Sequence, residues 1–566
     1  MRLIEKYHLL NQTIIDMKTL HHLKTMSLVI ICLLCFNNIQ AQNLESEIDQ
    51  LLEAKYKPET PGATALVYKN GEVIYRKAFG SANLELGIPM QPDNVFEIGS
   101  ITKQFTAISI LMLEEQGKLK IEDDITKYIT DYPTNGKAIS IHHLLNHTSG
   151  IKSYTSMQSF MKNARVDMTP TELIDVFKNE PMDFDPGEKF LYNNSGYILL
   201  GHIIELVSEQ TYADYIEEHL FKKLGMNSSY YGSMTKLIPK RASGYQDKDG
   251  YVNAAYLSLT LPYAAGSLMS NVDDLLIWQK ALNTNQLISQ TSYEKAIHGS
   301  TLNNGEHISY GYGLGEGNVN GSVSISHGGG IFGYTTQGIY LPQEDVFVSV
   351  LTNCDCNSPS GVANKIAAIA IGKPFPDFKD AISLSEQELQ KWTGAYQFED
   401  GAIRFITVKE GKIFSQREGS TLFKIYPMSI NRFIFEEGNI TYNFSNKDGK
   451  KQASFETDGT KAIGVETDKS APVEKIAITL SEKVLTQYIG KYELQPGFVI
   501  EVTTKGSQIF AQATGQPQFE MFAEREDNFF LKVVPANIAF TKDDNGAVTT
   551  LTLHQGGRVM PGKKID

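Results

Sequence analysis

About the last third of this chain is written twice. The string Ile382-x-Leu384-Ser385-Glu386, followed by Leu389-x-x-Trp392-x-Gly394-x-Tyr396, returns as Ile478-x-Leu480-Ser481-Glu482 and Leu485-x-x-Tyr488-x-Gly490-x-Tyr492, each position displaced by 96 residues. A duplicated unit must satisfy its own core twice, so the chain contains at least three bodies. Strand-length runs between turn residues, with little helical period, predict that each copy is a small antiparallel sheet or barrel opened by one helical turn.

Ahead of the repeats, Lys373-Pro374-Phe375-Pro376 reads as a linker, and the sequence before it has a different character. Ala63 to Tyr68 and Val73 to Ala78 are expected strands joined through Asn70-Gly71, a strong hairpin signal. Val323 to Ser326, Gly338 to Leu341 and Val346 to Thr352 are expected strands near the other end, with amphipathic helices between. Strands at both ends and helices in the middle predict one antiparallel sheet with helices packed on it. The expected division is therefore 1–41 as a leader, 43–372 as an α/β domain, and β repeats at 380–468 and 476–566.

The leader reading rests on Lys18 and Lys24 followed by the nine-residue apolar run from Leu28 to Phe36, with a cleavage point after Ala41. Such a run is too short to span a bilayer and reads as a secretory signal, so the protein is expected to be periplasmic or secreted. Large residues before Cys32 and Cys35 argue against a lipoprotein anchor there. The formal net charge is −13, and becomes −15 without the leader, which carries Arg2, Lys6, Lys18 and Lys24 against Glu5 and Asp16. An acidic chain is a poor ligand for nucleic acid or an anionic membrane. Cys354 and Cys356, separated by one residue, read as a poor disulfide pair and as too few ligands for zinc, so no covalent staple and no metal are expected.

The chemistry concentrates around Gly99-Ser100-Ile101-Thr102-Lys103. Ile101, Phe105, Ile108 and Met112 recur at helical spacing, and Gly117 reads as the C-cap. A serine and a lysine at i and i+3 of a first helical turn share a face, so the amine can take the hydroxyl proton. Free N–H groups of that turn point at the same spot. Other Ser-x-x-Lys pairs occur at Ser159, Ser233 and Ser292, so the spacing alone decides nothing.

Two further groups join it. Tyr192 and Asn194 sit two apart before an apolar helix, so a phenol and a carboxamide project to one side. A nearby ammonium would shift the phenol toward phenolate, fit to relay protons, while the asparagine holds the lysine and a substrate carbonyl. His327-Gly328-Gly329-Gly330 reads as a strand edge stripped of side chains, against which a substrate can lie. The Gly330 N–H is the candidate second oxyanion donor, and His327 the candidate titratable donor facing Tyr192 or a substrate carboxylate. His143 and His147 stand at i and i+4 but lack the glutamate and third ligand of a zinc protease, so capping and packing is the reading for them.

Ser-x-x-Lys, Tyr-x-Asn and His-x-Gly, in this order and with FEIGSITKQFTA, LLNHTSGI, YNNSGYILLG and AAGSLMSNVDDL around them, resemble the serine β-lactamase-like, penicillin-recognising hydrolases. The likeness runs from about Leu51 to Gly372. It is similar to the branch of class C β-lactamases, DD-peptidases, D-aminopeptidases and esterases, some members of which carry C-terminal lipocalin-like β domains. The resemblance implies an α/β sandwich with an all-helical subdomain, followed here by two all-β lipocalin-like domains.

It also implies Ser100 as acylated nucleophile, Lys103 as its proton acceptor, Tyr192 as second acid/base and Asn194 as substrate-orienting. His327 takes the third-motif position, the Gly328–Gly330 edge binds substrate, and no cofactor is required. Expected substrates are amides of D-amino-acid peptides, cell-wall derived, or small esters. His327 replaces the fixed cation of true β-lactamases, which weakens the reading as an antibiotic hydrolase. A non-catalytic peptide- or peptidoglycan-binding protein on the same scaffold is the other alternative, and an oligomer built through the β domains stays open. An α/β-hydrolase is excluded because the chain has no Gly-x-Ser-x-Gly elbow.

Overall fold

The computed structural model describes residues 43–565, apart from 357, 437, 458–459, 472–476, 496, 535 and 556–557. The expected signal segment lies outside the described residues. The chain divides into two compact units, one ending at Phe375 and one beginning at Pro376.

The first unit is built on a six-stranded antiparallel sheet. Its strands are β1 (Ala63–Lys69), β2 (Glu72–Phe79), β3 (Gly315–Val319), β4 (Ser322–Ile331), β5 (Tyr334–Leu341) and β6 (Val346–Thr352), in the order β3-β4-β5-β6-β1-β2. β6 is buried along its whole length because it lies inside the sheet with helices on both faces. Its alternate residues divide accordingly. Val346, Val348 and Val350 join one core with Ala63, Ala65 and Val67, whereas Phe347 and Leu351 join the other. The valine face is covered by helix α1 (43–55) and by α6 (Ser360–Ala370), which contributes Ala363, Ile366 and Ala367.

The opposite face supports the helical region: α2 (Thr102–Glu115), α3 (Ile141–Leu145), α4 (Asn194–Ser208) and α5 (Val272–Asn283). α2 has twelve buried residues, Thr102 to Leu113, so it is the buried axis of this half and not an amphipathic surface helix. The fold is the α/β sandwich with an all-helical portion that the sequence implied.

Two local expectations need correction. The expected strand at Val323 to Ser326 continues to Ile331, because the glycine run pairs with β5 through Gly328↔Gln337, Gly329↔Thr336 and Gly330↔Thr335. Cys354 and Cys356 form a disulfide, where no staple was expected. The turn after β6 brings the two sulfurs together, and the peptide N–H of Cys356 also donates to Cys354 Sγ at 3.3 Å.

The second unit holds two closed eight-stranded antiparallel barrels. The first runs from Gly394–Phe398 to Thr460–Thr467 and closes through Ala395↔Thr467; the second runs from Gly490–Gln495 to Arg558–Lys564 and closes through Tyr492↔Lys564. Their duplication extends to single hydrogen bonds. Tyr396 donates to the Trp392 carbonyl at 2.8 Å, and Tyr492 donates to the Tyr488 carbonyl at the same distance. Phe398, Ile406, Phe433, Tyr442 and Phe444 pack one interior; Val502, Ile509, Phe529, Phe540 and Leu551 pack the other. Among the described residues, no helix is long and apolar enough to cross a membrane.

Ile366 packs on the valine face of the sheet, away from the helical region. Ile366→Ala is expected to destabilise the protein by about 2–5 kcal/mol. Denaturant titration reads that loss, while the rate at which a fluorophosphonate labels the native protein should stay within about twofold.

Candidate active site

Gly99 explains why the chain turns where it does. Its φ of 52° is in the left-handed region, and a Cβ there would stand 2.9 Å from the backbone nitrogen of Gly330. Only glycine allows the turn Gly99–Ile101 to press against β4 in this way. The same contact continues one residue back: Thr336 Oγ1 donates to the Ile98 carbonyl at 3.0 Å, and a Cβ on Gly329 would sit 2.0 Å from that oxygen. Gly329 and Gly330 of β4 are thus the surface on which the Ser100 turn is seated.

α2 then carries Lys103 beneath Ser100. Lys103 is fully buried and forms no ion pair with a carboxylate among the described residues. Its Nζ lies 2.8 Å from Asn194 Oδ1, 2.8 Å from the Ala265 carbonyl and 3.2 Å from Ser100 Oγ. Burial alone drives its pKa well below the ordinary lysine value. A neutral amine has two hydrogens and one lone pair. The two acceptor oxygens use the hydrogens, so the lone pair faces Ser100, whose hydroxyl donates to it. The rings of Tyr192 and Tyr197, at 4.9 Å and 5.4 Å, complete the enclosure.

Tyr192 reaches Ser100 from the other side, at the entry to α4. Its phenol is pushed up, not toward phenolate as expected. Burial of the hydroxyl end dominates, opposed by the hydrogen bond with Ser100, and a neutral lysine offers no charge to reverse it. The residue as a whole is 37% exposed, because the ring forms part of the cleft wall while its hydroxyl points inward. Asn194 is the first residue of α4; Asn193 is the cap, accepting from the Gly196 N–H at 3.1 Å. Asn194 Nδ2 donates to Thr155 Oγ1 at 3.1 Å, leaving its second hydrogen for a ligand.

His327 also departs from expectation. Nδ1 donates to the Gly328 carbonyl at 2.5 Å, and Nε2 accepts from the Tyr310 hydroxyl at 2.9 Å. Burial lowers its pKa to about 4, and any positive charge on Lys103 would press it the same way. It is a neutral ring at neutral pH with both nitrogens hydrogen-bonded, and it supplies no cation to a substrate carboxylate.

Two residues beyond those singled out belong to the site. Tyr310 holds His327 and packs 6.2 Å from Tyr192, ring centre to ring centre. His147 brackets Tyr192: its carbonyl accepts from the Leu191 N–H at 3.0 Å, and its Nδ1 accepts from the Asn193 N–H at 3.1 Å. Its ring lies 4.3 Å from that of Tyr192, and its backbone adopts φ 62°, a left-handed conformation that costs a non-glycine residue about 1–2 kcal/mol. His143, by contrast, closes a capping box with Ser140. The capping expectation fits His143, whereas His147 serves the cleft.

Finally, the sheet leaves an opening. β3 begins at Gly315, opposite Ser326, so no strand pairs with His327–Ile331 on that side among the described residues. The free edge starts beside Tyr310, passes the Ser100 turn at Gly330 and ends near Phe332. Ser100, Lys103, Tyr192, Asn194, His327 and the glycine edge therefore meet around one cleft.

A helical region packed on an antiparallel sheet, with serine, buried lysine and tyrosine between them, defines a class of serine hydrolases. The chain belongs to the Beta-lactamase family, whose model matches residues 44–373; a second model, Domain of unknown function (DUF3471), matches 474–564. Penicillin-binding protein 4* of Bacillus subtilis (strain 168) is 28% identical over 75% of this chain and 99% of its own length. The D-aminopeptidase of Gluconobacter oxydans (strain 621H) is 26% identical over 56% of this chain and 60% of its own. Among solved structures, the octameric penicillin-binding protein homologue from Pyrococcus abyssi matches with a TM-score of 0.53 and 28% identity, over 75% of this chain and 99% of that one.

Since Lys103 is buried without a counter-charge, it lowers stability: the unfolded chain binds a proton there that the folded one does not, between the lowered value and 10.5. Lys103→Met is expected to abolish labelling of Ser100 while raising the melting temperature. The gain should grow as pH falls below about 10 and level off once pH passes the lowered value, as read by calorimetry across that range.

Proposed function

We propose that this protein is an exported serine hydrolase that opens amides of D-amino-acid peptides, or small esters, through an acyl-enzyme on Ser100. The observation that carries this reading is Lys103, a fully buried amine 3.2 Å from the Ser100 hydroxyl, which in its free-base form can take the hydroxyl proton. A binding protein has no use for such a group, which costs stability. It is what a serine nucleophile requires.

The steps follow from the hydrogen bonds. The scissile carbonyl lies along the free edge of β4, its oxygen between the N–H groups of Ser100 and Gly330. Ser100 Oγ attacks the carbonyl carbon as its proton passes to Lys103 Nζ. Negative charge grows on the carbonyl oxygen, where the two N–H groups oppose it. Tyr192, kept protonated by burial, donates to the departing nitrogen or oxygen as the bond to carbon breaks. The ammonium of Lys103, 4.9 Å from the Tyr192 ring, then returns a proton to the phenolate, directly or through the water that enters the vacated space, because acylated Ser100 carries no proton. Water enters the vacated space and delivers its hydroxyl to the ester carbon by the same route, releasing Ser100.

Likeness to a D-aminopeptidase and to penicillin-binding proteins favours D-configured, cell-wall-derived acyl groups. The neutral state of His327 disfavours β-lactams, whose carboxylate needs a fixed cation. Export rests on the apolar run from Leu28 to Phe36, and self-association is supported by the octameric relative.

The test compares D-alanine p-nitroanilide, p-nitrophenyl acetate and a chromogenic cephalosporin on the purified protein, with a fluorophosphonate adduct mapped by mass spectrometry. The adduct is expected on Ser100, with turnover of amide or ester at least 100-fold above the cephalosporin in kcat/KM. Labelling elsewhere, or turnover that survives Ser100→Ala, contradicts the assignment.

A further inference from the structure

The free edge of β4 ends in a cavity that the reaction described above does not use. It has a volume of about 350 Å³ and is lined by Glu97, Arg241, Tyr256, Leu257, Phe332 and Tyr334, among others. Glu97 stands three residues before Ser100, and Phe332 two residues after Gly330, so two of its lining residues belong to the chain segments that carry the nucleophile and the free edge. The other end of the edge, at His327 and Tyr310, leads toward a wider hollow of about 930 Å³ bordered by Phe190 and Ser309.

Which end takes which half of the substrate is settled by Tyr192. The departing group must face the phenol that protonates it, and Tyr192 packs against His147, Tyr310 and His327. Leaving groups therefore extend toward the wide hollow, and the acyl half toward Phe332.

In the cavity one charged group is presented and the other withdrawn. Arg241 Nη2 bonds Glu97 Oε1 at 2.5 Å, with the side chain of Arg241 26% exposed and that of Glu97 only 7%. Glu97 is part of the wall but far less exposed, and it engages Nη2, which also faces Met234 Sδ at 3.8 Å; the other guanidinium N–H groups remain donors suited to a carboxylate. The carbon walls of Leu257, Phe332 and Tyr334 suit the methylenes that would carry it.

We propose that this cavity is an acyl-side subsite selecting a D-amino-acid residue whose side chain ends in a carboxylate, held by Arg241. The proposal rests on the assignment of Ser100 and Tyr192 made above. An acidic side chain entering here lies against aromatic and aliphatic carbon until its carboxylate meets Arg241. A neutral amide of the same shape gains less from the guanidinium and leaves charge-assisted donors poorly matched.

Two measurements separate this inference from the reading on which it rests. In the first, kcat/KM is compared for N-acetyl-D-Glu and N-acetyl-D-Gln p-nitroanilides. The wild type should favour the acid at least tenfold; Arg241→Gln combined with Glu97→Gln should bring the ratio to about one, and Arg241→Lys should keep part of it. In the second, calorimetry compares N-acetyl-D-glutamate with N-acetyl-D-glutamine on the Ser100→Ala protein, which needs no turnover. Tenfold tighter binding of the acid supports the subsite even if neither anilide is cleaved, an outcome that would remove only the hydrolase reading. Equal binding of the two ligands, or an acid preference unchanged in the double variant, overturns the subsite.

Discussion

The burial of one amine constrains most of what surrounds it. Lys103 has no carboxylate partner among the described residues, so burial pushes its pKa well below the ordinary lysine value, toward a free amine that can satisfy only two acceptors. Asn194 and the Ala265 carbonyl fill those places, which fixes the start of α4 and the short helix Tyr263–Gly266 relative to α2. The remaining lone pair has one neighbour, Ser100. The same enclosure keeps Tyr192 protonated and His327 uncharged, so the cleft rests as a set of neutral groups. Its reactivity lies in directed hydrogen bonds and not in stored charge.

The sheet supplies the complementary constraint. β4 must approach the Ser100 turn so closely that side chains on Gly99 or Gly329 would collide with backbone, which accounts for glycine at both positions. β3 is cut short at Gly315, and the edge it fails to cover is the stretch beside those glycines. A fully paired β4 would be a better strand and would leave an extended substrate no backbone to bind. On the opposite face, α1 and α6 simply complete a core.

What could be read from the sequence was whatever depends on neighbours along the chain. The Ser100–Lys103 spacing, the helix after it, the hairpin at Asn70-Gly71 and the duplicated tail are all local patterns, and each has its counterpart in the fold. Electrostatic state was not legible, because it depends on burial. His327 looked titratable until β4 and Tyr310 enclosed it, and Tyr192 looked activated until Lys103 proved to be without charge. His147 had the same history: a histidine near a helix end was read as a cap, yet its contacts are with a segment 46 positions away. One signal was available. A histidine directly before Thr-Ser-Gly, among residues that favour turns, could have prompted a search for a distant backbone partner. The Cys354–Cys356 pair went unforeseen because spacing alone made it look a poor bridge, and only the turn beyond β6 brings the sulfurs together.

The protonation state of Lys103 is where the account is most exposed. The rate at which a neutral fluorophosphonate labels Ser100, followed from pH 5 to 11, reports it directly. A lowered pKa means that the free base forms well before pH 10.5, so labelling should level off in the alkaline range and fall on the acid side with an apparent pKa well below 10.5. A rate that climbs steadily to an inflection near 10.5 would mean that Lys103 is an ordinary ammonium ion in the folded protein, and the neutral site described here would be wrong.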